Sequence, residues 1–208
     1  LLKLPIPGTS GLNPAYQNAG KVRNKGWDIT LRYNDRIGDF EYGIGVNLSD
    51  VHNEITDLAE TGPYIYDRTI HKEGYPITSL YGLEAEGLFQ NEDEIKDHAS
   101  QFGTILAPGD IKYKDQLTID SDGDGIMDKT DGVINADDRV IMGDYMPHYT
   151  YGIDFYGKYK NIDLSFLLQG VGKADGYIDQ QGVLAFYMGG TAQEWHKDHW
   201  TEDNRNAS

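Results

Sequence analysis

"YTYGIDFYGKYKNIDLSFLLQ", residues 149–169, carries the clearest structural pattern of the chain. Tyr149, Tyr151, Ile153, Phe155 and Tyr159 fall on one side of an extended chain, opposite Thr150, Gly152, Asp154, Tyr156 and Lys158. After Lys160 and Asn161 the alternation resumes: Ile162, Leu164, Phe166 and Leu168 oppose Asp163, Ser165 and Gln169, with Leu167 the exception. Period-two runs joined by a tight turn predict a β-hairpin with two unlike faces. The pattern also occurs upstream. In "GWDITLRYND" (26–35), Trp27, Ile29, Leu31 and Tyr33 oppose Asp28, Thr30, Arg32 and Asn34. In "DFEYGIGVNLSD" (39–50), Phe40, Tyr42, Ile44, Val46 and Leu48 oppose Glu41, Gly43, Gly45 and Asn47, and a turn around Asp35 to Gly38 joins the two runs.

The connections sharpen the reading. Both hairpins turn tightly, whereas residues 51–148 separate them and residues 171–208 follow the second. Short turns at one end and long loops at the other fit a transmembrane β-barrel with extracellular loops. Runs of about 10 residues fit a tilted strand crossing a bilayer. Trp27, Tyr33, Tyr149, Tyr151 and Tyr159 stand where interfacial aromatic girdles belong. A soluble β-sandwich shares the alternation, because periodicity does not say whether the apolar face meets lipid or a second sheet. The expected fold is therefore all-β: antiparallel strands of a partial transmembrane β-barrel, with long extracellular loops and one short loop helix. That helix is expected in "NEDEIKDHASQF" (91–102), with Asn91 as N-cap and Glu94 completing a capping box. "EGYPITSLYGLEAEGLFQ" (73–90) is too broken by Gly and Pro to be a fifth crossing. The organisation reads as a lead-in over 1–25, a barrel hairpin over 26–50, a long loop region over 51–148, a second hairpin over 149–170 and a further loop over 171–208.

Among 208 residues, 34 acidic side chains against 18 basic ones give a formal charge of −16. Such a chain has no continuous basic surface to replace phosphate counterions, so no nucleic-acid partner is expected. Cysteine is absent, which removes disulfides and thiolate chemistry. No apolar run reaches the length of a membrane helix, a test blind to barrels. "LLKLPIPGTSG" at the start is not a secretory signal, and both ends read as cuts in a longer chain.

The acidic charge concentrates in "DSDGDGIMDKTDG" (120–132). Asp120, Asp122 and Asp124 at alternate positions, followed by Gly125, match the opening of an EF-hand-type calcium loop. A hard cation needs several converging oxygens and a glycine where the backbone reverses. Counting from Asp120, the Ile126 carbonyl takes position seven, Asp128 nine and Asp131 twelve, where a shorter Asp replaces the usual Glu. Asp137 and Asp138 in "INADDR" lie close enough in sequence to complete this site or begin another. Extended flanks without a helix pair imply a structural Ca2+ staple rather than a switch. Other groupings are weak. His196 and His199 lack further zinc ligands, and the pairs Glu84/Glu86 and Glu92/Glu94 lack the apolar pocket that acid–base catalysis needs, so no enzyme is expected.

Several segments, in order along the chain, resemble the SusC/RagA-type TonB-dependent outer-membrane receptors of Bacteroidetes. They are "NAGKVRNKGWDITL" (18–31), residues 73–90, "PGDIKYKD" (108–115), "DGVINADDRVIMGDYMPHYTYGIDF" (131–155), "DLSFLLQGVGK" (163–173) and "HWTEDNRNAS" (199–208). The resemblance implies a piece of the C-terminal half of a large barrel in the bacterial outer membrane. It implies import of oligosaccharides or peptides, a SusD-like surface lipoprotein as partner, and TonB acting through an N-terminal part not included here. The family's loop is similar to D-x-N-G-D-G-x-I-x-x-D-D-R. "IMDKTDG" interrupts it here, so the ligand set runs either to Asp131 or on to Asp138. The alternative from another class is a soluble secreted calcium-binding β-domain of adhesin or carbohydrate-binding type.

Overall fold

The alternating runs pair as one antiparallel sheet. The computed structural model describes residues 2–3, 13, 16–178 and 180–207. Much of the expected lead-in over 1–25 thus lies outside the described residues. Along the chain, β1 (Leu2–Lys3) pairs with β2 (Tyr16–Gln17), followed by the long strands β3 (Lys21–Ile37) and β4 (Phe40–Asp57). Short strands come next: β5 (Tyr64–Ile65), β6 (Thr69–His71), β7 (Ser79–Gly82) and β8 (Ala85–Leu88). Helix α1 (Glu92–Asp97), β9 (Ser100–Gln101), β10 (Ile111–Tyr113), β11 (Val133–Ile134) and β12 (Val140–Asp144) lead to β13 (His148–Tyr159) and β14 (Ile162–Lys173). Two compact units result, Leu1–Leu80 with Gly143–Gly176, and Tyr81–Met142 with Tyr177–Ser208.

The first unit holds the main sheet, in the order β14-β13-β4-β3, antiparallel throughout. Two-residue turns, Gly38–Asp39 and Lys160–Asn161, close both hairpins, and Gly38 and Lys160 adopt positive φ of 62° and 53°. Such turns match the twist of the strands they join. The register aligns Ile37, Phe40, Tyr159 and Ile162 in one row, so both turns share one end of the sheet and the long excursions leave from the other.

The β3–β4 hairpin outruns its apolar stretch. Its strands are 17 and 18 residues long, against the shorter 26–50 hairpin expected. Beyond Trp27 it continues as a polar ribbon through Asn24–Asn53, Arg23–Glu54 and Lys21–Asp57, the last an ion pair at 2.7 Å. Cross-strand polar pairs extend the ladder without any two-faced pattern to signal it. Ile55, Leu58, Ile70 and Leu80 are buried beside this extension. The Asn53 side chain donates to Asn24 Oδ1 at 2.6 Å and accepts from the Ile77 N–H at 2.7 Å, which ties residues 73–80 to β4.

The second unit packs around Phe89 and Ile134, both fully buried. Buried Gln101 donates to the Ile111 carbonyl at 3.0 Å and accepts from the Tyr113 N–H at 2.8 Å, satisfying two backbone groups at once. Helix α1 begins as expected: Asn91 Oδ1 accepts from the N–H groups of Asp93 and Glu94 at 3.0 and 2.9 Å. Glu94, however, reaches back to the Gln90 N–H at 3.0 Å rather than to Asn91. Residues 73–90 contribute only the four-residue strands β7 and β8, as the Gly and Pro breaks imply.

Candidate functional site

Two features carry chemistry: the paired faces of the main sheet and the aspartate loop. Register turns the sequence alternation into rows. Leu31, Val46, Ile153 and Leu168 align across the sheet, as do Tyr33, Ile44, Phe155 and Phe166. These rows form a continuous apolar face, with the Phe155 and Phe166 rings stacked at 5.1 Å. Leu31 is 66% exposed and Leu164 60%, so among the described residues nothing covers the apolar face. A sandwich would bury it against a second sheet. A barrel strand turns it outward.

The opposite face is polar: Thr30, Asn47, Gly152 and Gln169 form one row, and Arg32, Gly45, Asp154 and Leu167 the next. Arg32 Nη2 lies 3.4 Å from Asp154 Oδ1, reaching across a strand that has no side chain at Gly45. A Cβ at Gly45 would stand 2.2 Å from that Oδ1. Glycine here is therefore a condition of the ion pair. Leu167, which broke the alternation, sits exposed in this polar row. Sequence reading missed the Arg32–Asp154 pair because 122 residues separate its partners, and only register brings them together.

The aspartate loop hangs from an antiparallel bridge, Ile119 with Lys129. The flanks are extended, as expected, with the Ile119 N–H donating to the Lys129 carbonyl at 2.9 Å. Within the loop, carboxylate oxygens of Asp120, Asp122 and Asp124 lie within 4.8 Å of one another. Asp120 Oδ1 accepts from the Gly123 N–H at 2.6 Å and Oδ2 from the Gly125 N–H at 2.8 Å. These backbone donors, Gly125 first, hold the Asp120 carboxyl below its usual range. The loop closes tightly because Gly123 and Gly125 take φ of 80° and 89°, open to glycine and costly to other residues. The donor set, three hard carboxylates on a tight turn, suits Ca2+.

The other expected ligands are placed differently. Asp128 accepts from the Ser121 hydroxyl at 2.6 Å and from its N–H at 2.9 Å, bonds that lower its pKa, the hydroxyl first. Exposed Ile126 donates its N–H to Asp124 Oδ1 at 2.8 Å. Asp131 accepts from the Val133 N–H at 2.8 Å, and Asp137 donates its own N–H to Asn135 Oδ1 at 2.7 Å. Asp138 is fully buried: Oδ1 accepts from the Gln116 N–H at 2.9 Å and Oδ2 from the Asn135 N–H at 2.8 Å. It caps the 3-10 turn Ala136–Asp138, a role that the Asn-x-x-Asp spacing of 135–138 signals. Among the described residues, then, Asp120, Asp122 and Asp124 form the three-carboxylate group.

The remaining groupings resolve as structure. Glu84 pairs with Gln116 and Lys114, which lower its pKa, the opposite of what a catalytic acid requires. His196 Nδ1 accepts from the Gln193 N–H at 2.8 Å. The Trp200 indole donates to Gln90 Oε1 at 3.2 Å and packs on Gly109.

No family model matches the chain. It is 29% identical over 220 residues to TonB-dependent receptor P26 of Formosa agariphila, covering 98% of this chain and 20% of that protein. TonB-dependent receptor P3 of the same organism is also 29% identical, over 180 residues, covering 81% of this chain and 17% of the receptor. Among solved structures, the RagAB peptide transporter superposes with a TM-score of 0.66 at 22% identity, over 99% of this chain and 22% of that one. The RagAB peptide importer in its closed-closed state gives 0.59 at 24% identity, over 98% and 21%. The chain spans about a fifth of the length of the curated relatives it matches. The two-faced sheet, its turns gathered at one end and the relatives that share nearly its whole extent lead to one conclusion: the chain is similar to part of the TonB-dependent receptors and shares its fold with part of the RagAB peptide transporter.

Proposed function

We propose that this chain supplies four wall strands and two loop regions of an outer-membrane importer for nutrient oligomers, peptides or oligosaccharides. The single observation that carries this reading is the uncovered apolar face opposite a polar one, with both tight turns at one end. In such a wall the apolar rows meet lipid and the polar rows line the lumen. The turns face the periplasm, and residues 58–147 and 174–207 stand outside the cell. The solved neighbours are importers of peptides by description, which favours a peptide cargo. A SusD-like surface lipoprotein covers the mouth, and TonB delivers energy through parts of the receptor beyond this chain. The function is uptake, not catalysis.

The aspartate loop binds a structural Ca2+ through Asp120, Asp122 and Asp124. The ion supplies charge neutralisation to an exposed acidic turn, while Asp120 orders the turn through its backbone bonds to Gly123 and Gly125.

The test is uptake by cells lacking the complete receptor gene and by cells in which it is restored. Labelled peptides and labelled oligosaccharides are offered separately, with and without a protonophore. Restored, energy-dependent accumulation of one class is the expected result. Equal accumulation of both classes in the deleted and restored cells would count against import.

A further inference from the structure

We propose that His148, held between Asp50 and Asp144, is a pH-sensitive latch that fastens the entry of β13 to β4. His148 Nδ1 lies 2.7 Å from Asp50 Oδ1, and Nε2 lies 3.9 Å from Asp144 Oδ1. All three side chains are largely buried, at 16, 18 and 12% exposure, so water screens them poorly. Asp175 accepts from the Asp144 N–H at 3.2 Å and lies 3.7 Å from Lys173 Nζ, while Lys25 on β3 stands opposite His52. His52 follows Asp50 on β4 but is exposed.

A neutral imidazole has one N–H. Donating it to Asp50 leaves the Nε2 lone pair facing the Asp144 carboxylate, and the contact is repulsive. Protonation places a donor on each side, so both carboxylates are held at once. The backbone at this point needs holding: Tyr149 takes a φ of +55°, unfavourable for a side-chain-bearing residue, and its N–H donates to Asp50 Oδ1 at 3.3 Å. Asp50 thus anchors both His148 and the strained residue after it. Asp144 accepts from the Met146 N–H at 2.8 Å, which orders the approach to β13. The latch does not depend on what the receptor carries.

The experiment is amide exchange by mass spectrometry on the complete receptor in lipid nanodiscs, corrected for the intrinsic effect of pH. Amides of residues 143–151 are expected to exchange at least about fivefold more slowly at about pH 5 than at about pH 8. H148Q and the isosteric D144N each remove that difference, while H52Q retains it. Equal protection at both pH values in the unaltered receptor overturns the latch. So does a pH difference that survives in H148Q or in D144N, or one that vanishes in H52Q.

Discussion

Asp120 and Gly125 show how single residues set the loop. Asp120 takes two backbone N–H groups, and its lowered pKa records them. A group whose folded pKa is depressed contributes stability that is complete above its ordinary value, here 3.8, and is lost as pH falls through the depressed one. Without calcium, protection of the Gly123 and Gly125 amides is therefore expected to hold through mildly acidic pH and to fade only below that value. Exchange measured across an acid series reads this directly; loss of protection near neutrality contradicts it. With calcium, Asp120→Asn removes one of three carboxylate charges and is expected to weaken binding at least about tenfold by calorimetry. An unchanged affinity would remove Asp120 from the site. Gly125→Ala meets open space, so its cost is conformational alone, about 1–2 kcal/mol. The three alternate aspartates were legible because spacing along one short segment fixes them. The backbone bonds of Asp138 were not legible, because one of them comes from Gln116, 22 residues away.

For the strands, the decisive quantity is side-chain volume at crossing points. Gly45 leaves room for Arg32 and Asp154 to meet over β4, yet the pair is exposed, and exposed ion pairs contribute at most about 1 kcal/mol. A side chain at Gly45 pushes into Asp154 and strains the polar rows, which costs about 1–3 kcal/mol. Gly45→Val is thus expected to lower the thermal midpoint of the complete receptor in detergent more than Arg32→Ala does. The reverse order would show that charge, not volume, governs this row. The strand interiors were legible because each residue's face follows from period two. The ends of β3 and β4 were not, since Asn24–Asn53 and Lys21–Asp57 extend the ladder through pairs that no alternation marks.

At the scale of the molecule, an apolar face with no cover is the feature that water cannot tolerate and a bilayer can. Leu31→Arg, in the middle of an apolar row, is expected to cost about 2–4 kcal/mol in the membrane, whereas polar substitution of Thr30 on the lumen side is expected to cost little. Folding in lipid vesicles at a series of urea concentrations measures both. The topology of the main sheet was legible through loop asymmetry: a tight turn expected around Asp35 to Gly38 and found at 38–39, a second at 160–161, and long excursions elsewhere follow from sequence distance. The interior of those excursions was not, because Gln101, Asn53 and Asp138 act by satisfying backbone groups that local patterns do not reveal. This segment has no cysteine of its own, so labelling in a receptor whose cysteines elsewhere are replaced by serine tests the two-faced wall directly. Single cysteines placed in turn from 150 to 156 of the complete receptor in nanodiscs, spin-labelled, report collision with oxygen in lipid or with a water-soluble nickel complex. Strict alternation is expected, with 151, 153 and 155 meeting oxygen and 152, 154 and 156 meeting nickel. Equal access along the strand, or the opposite phase, would contradict it.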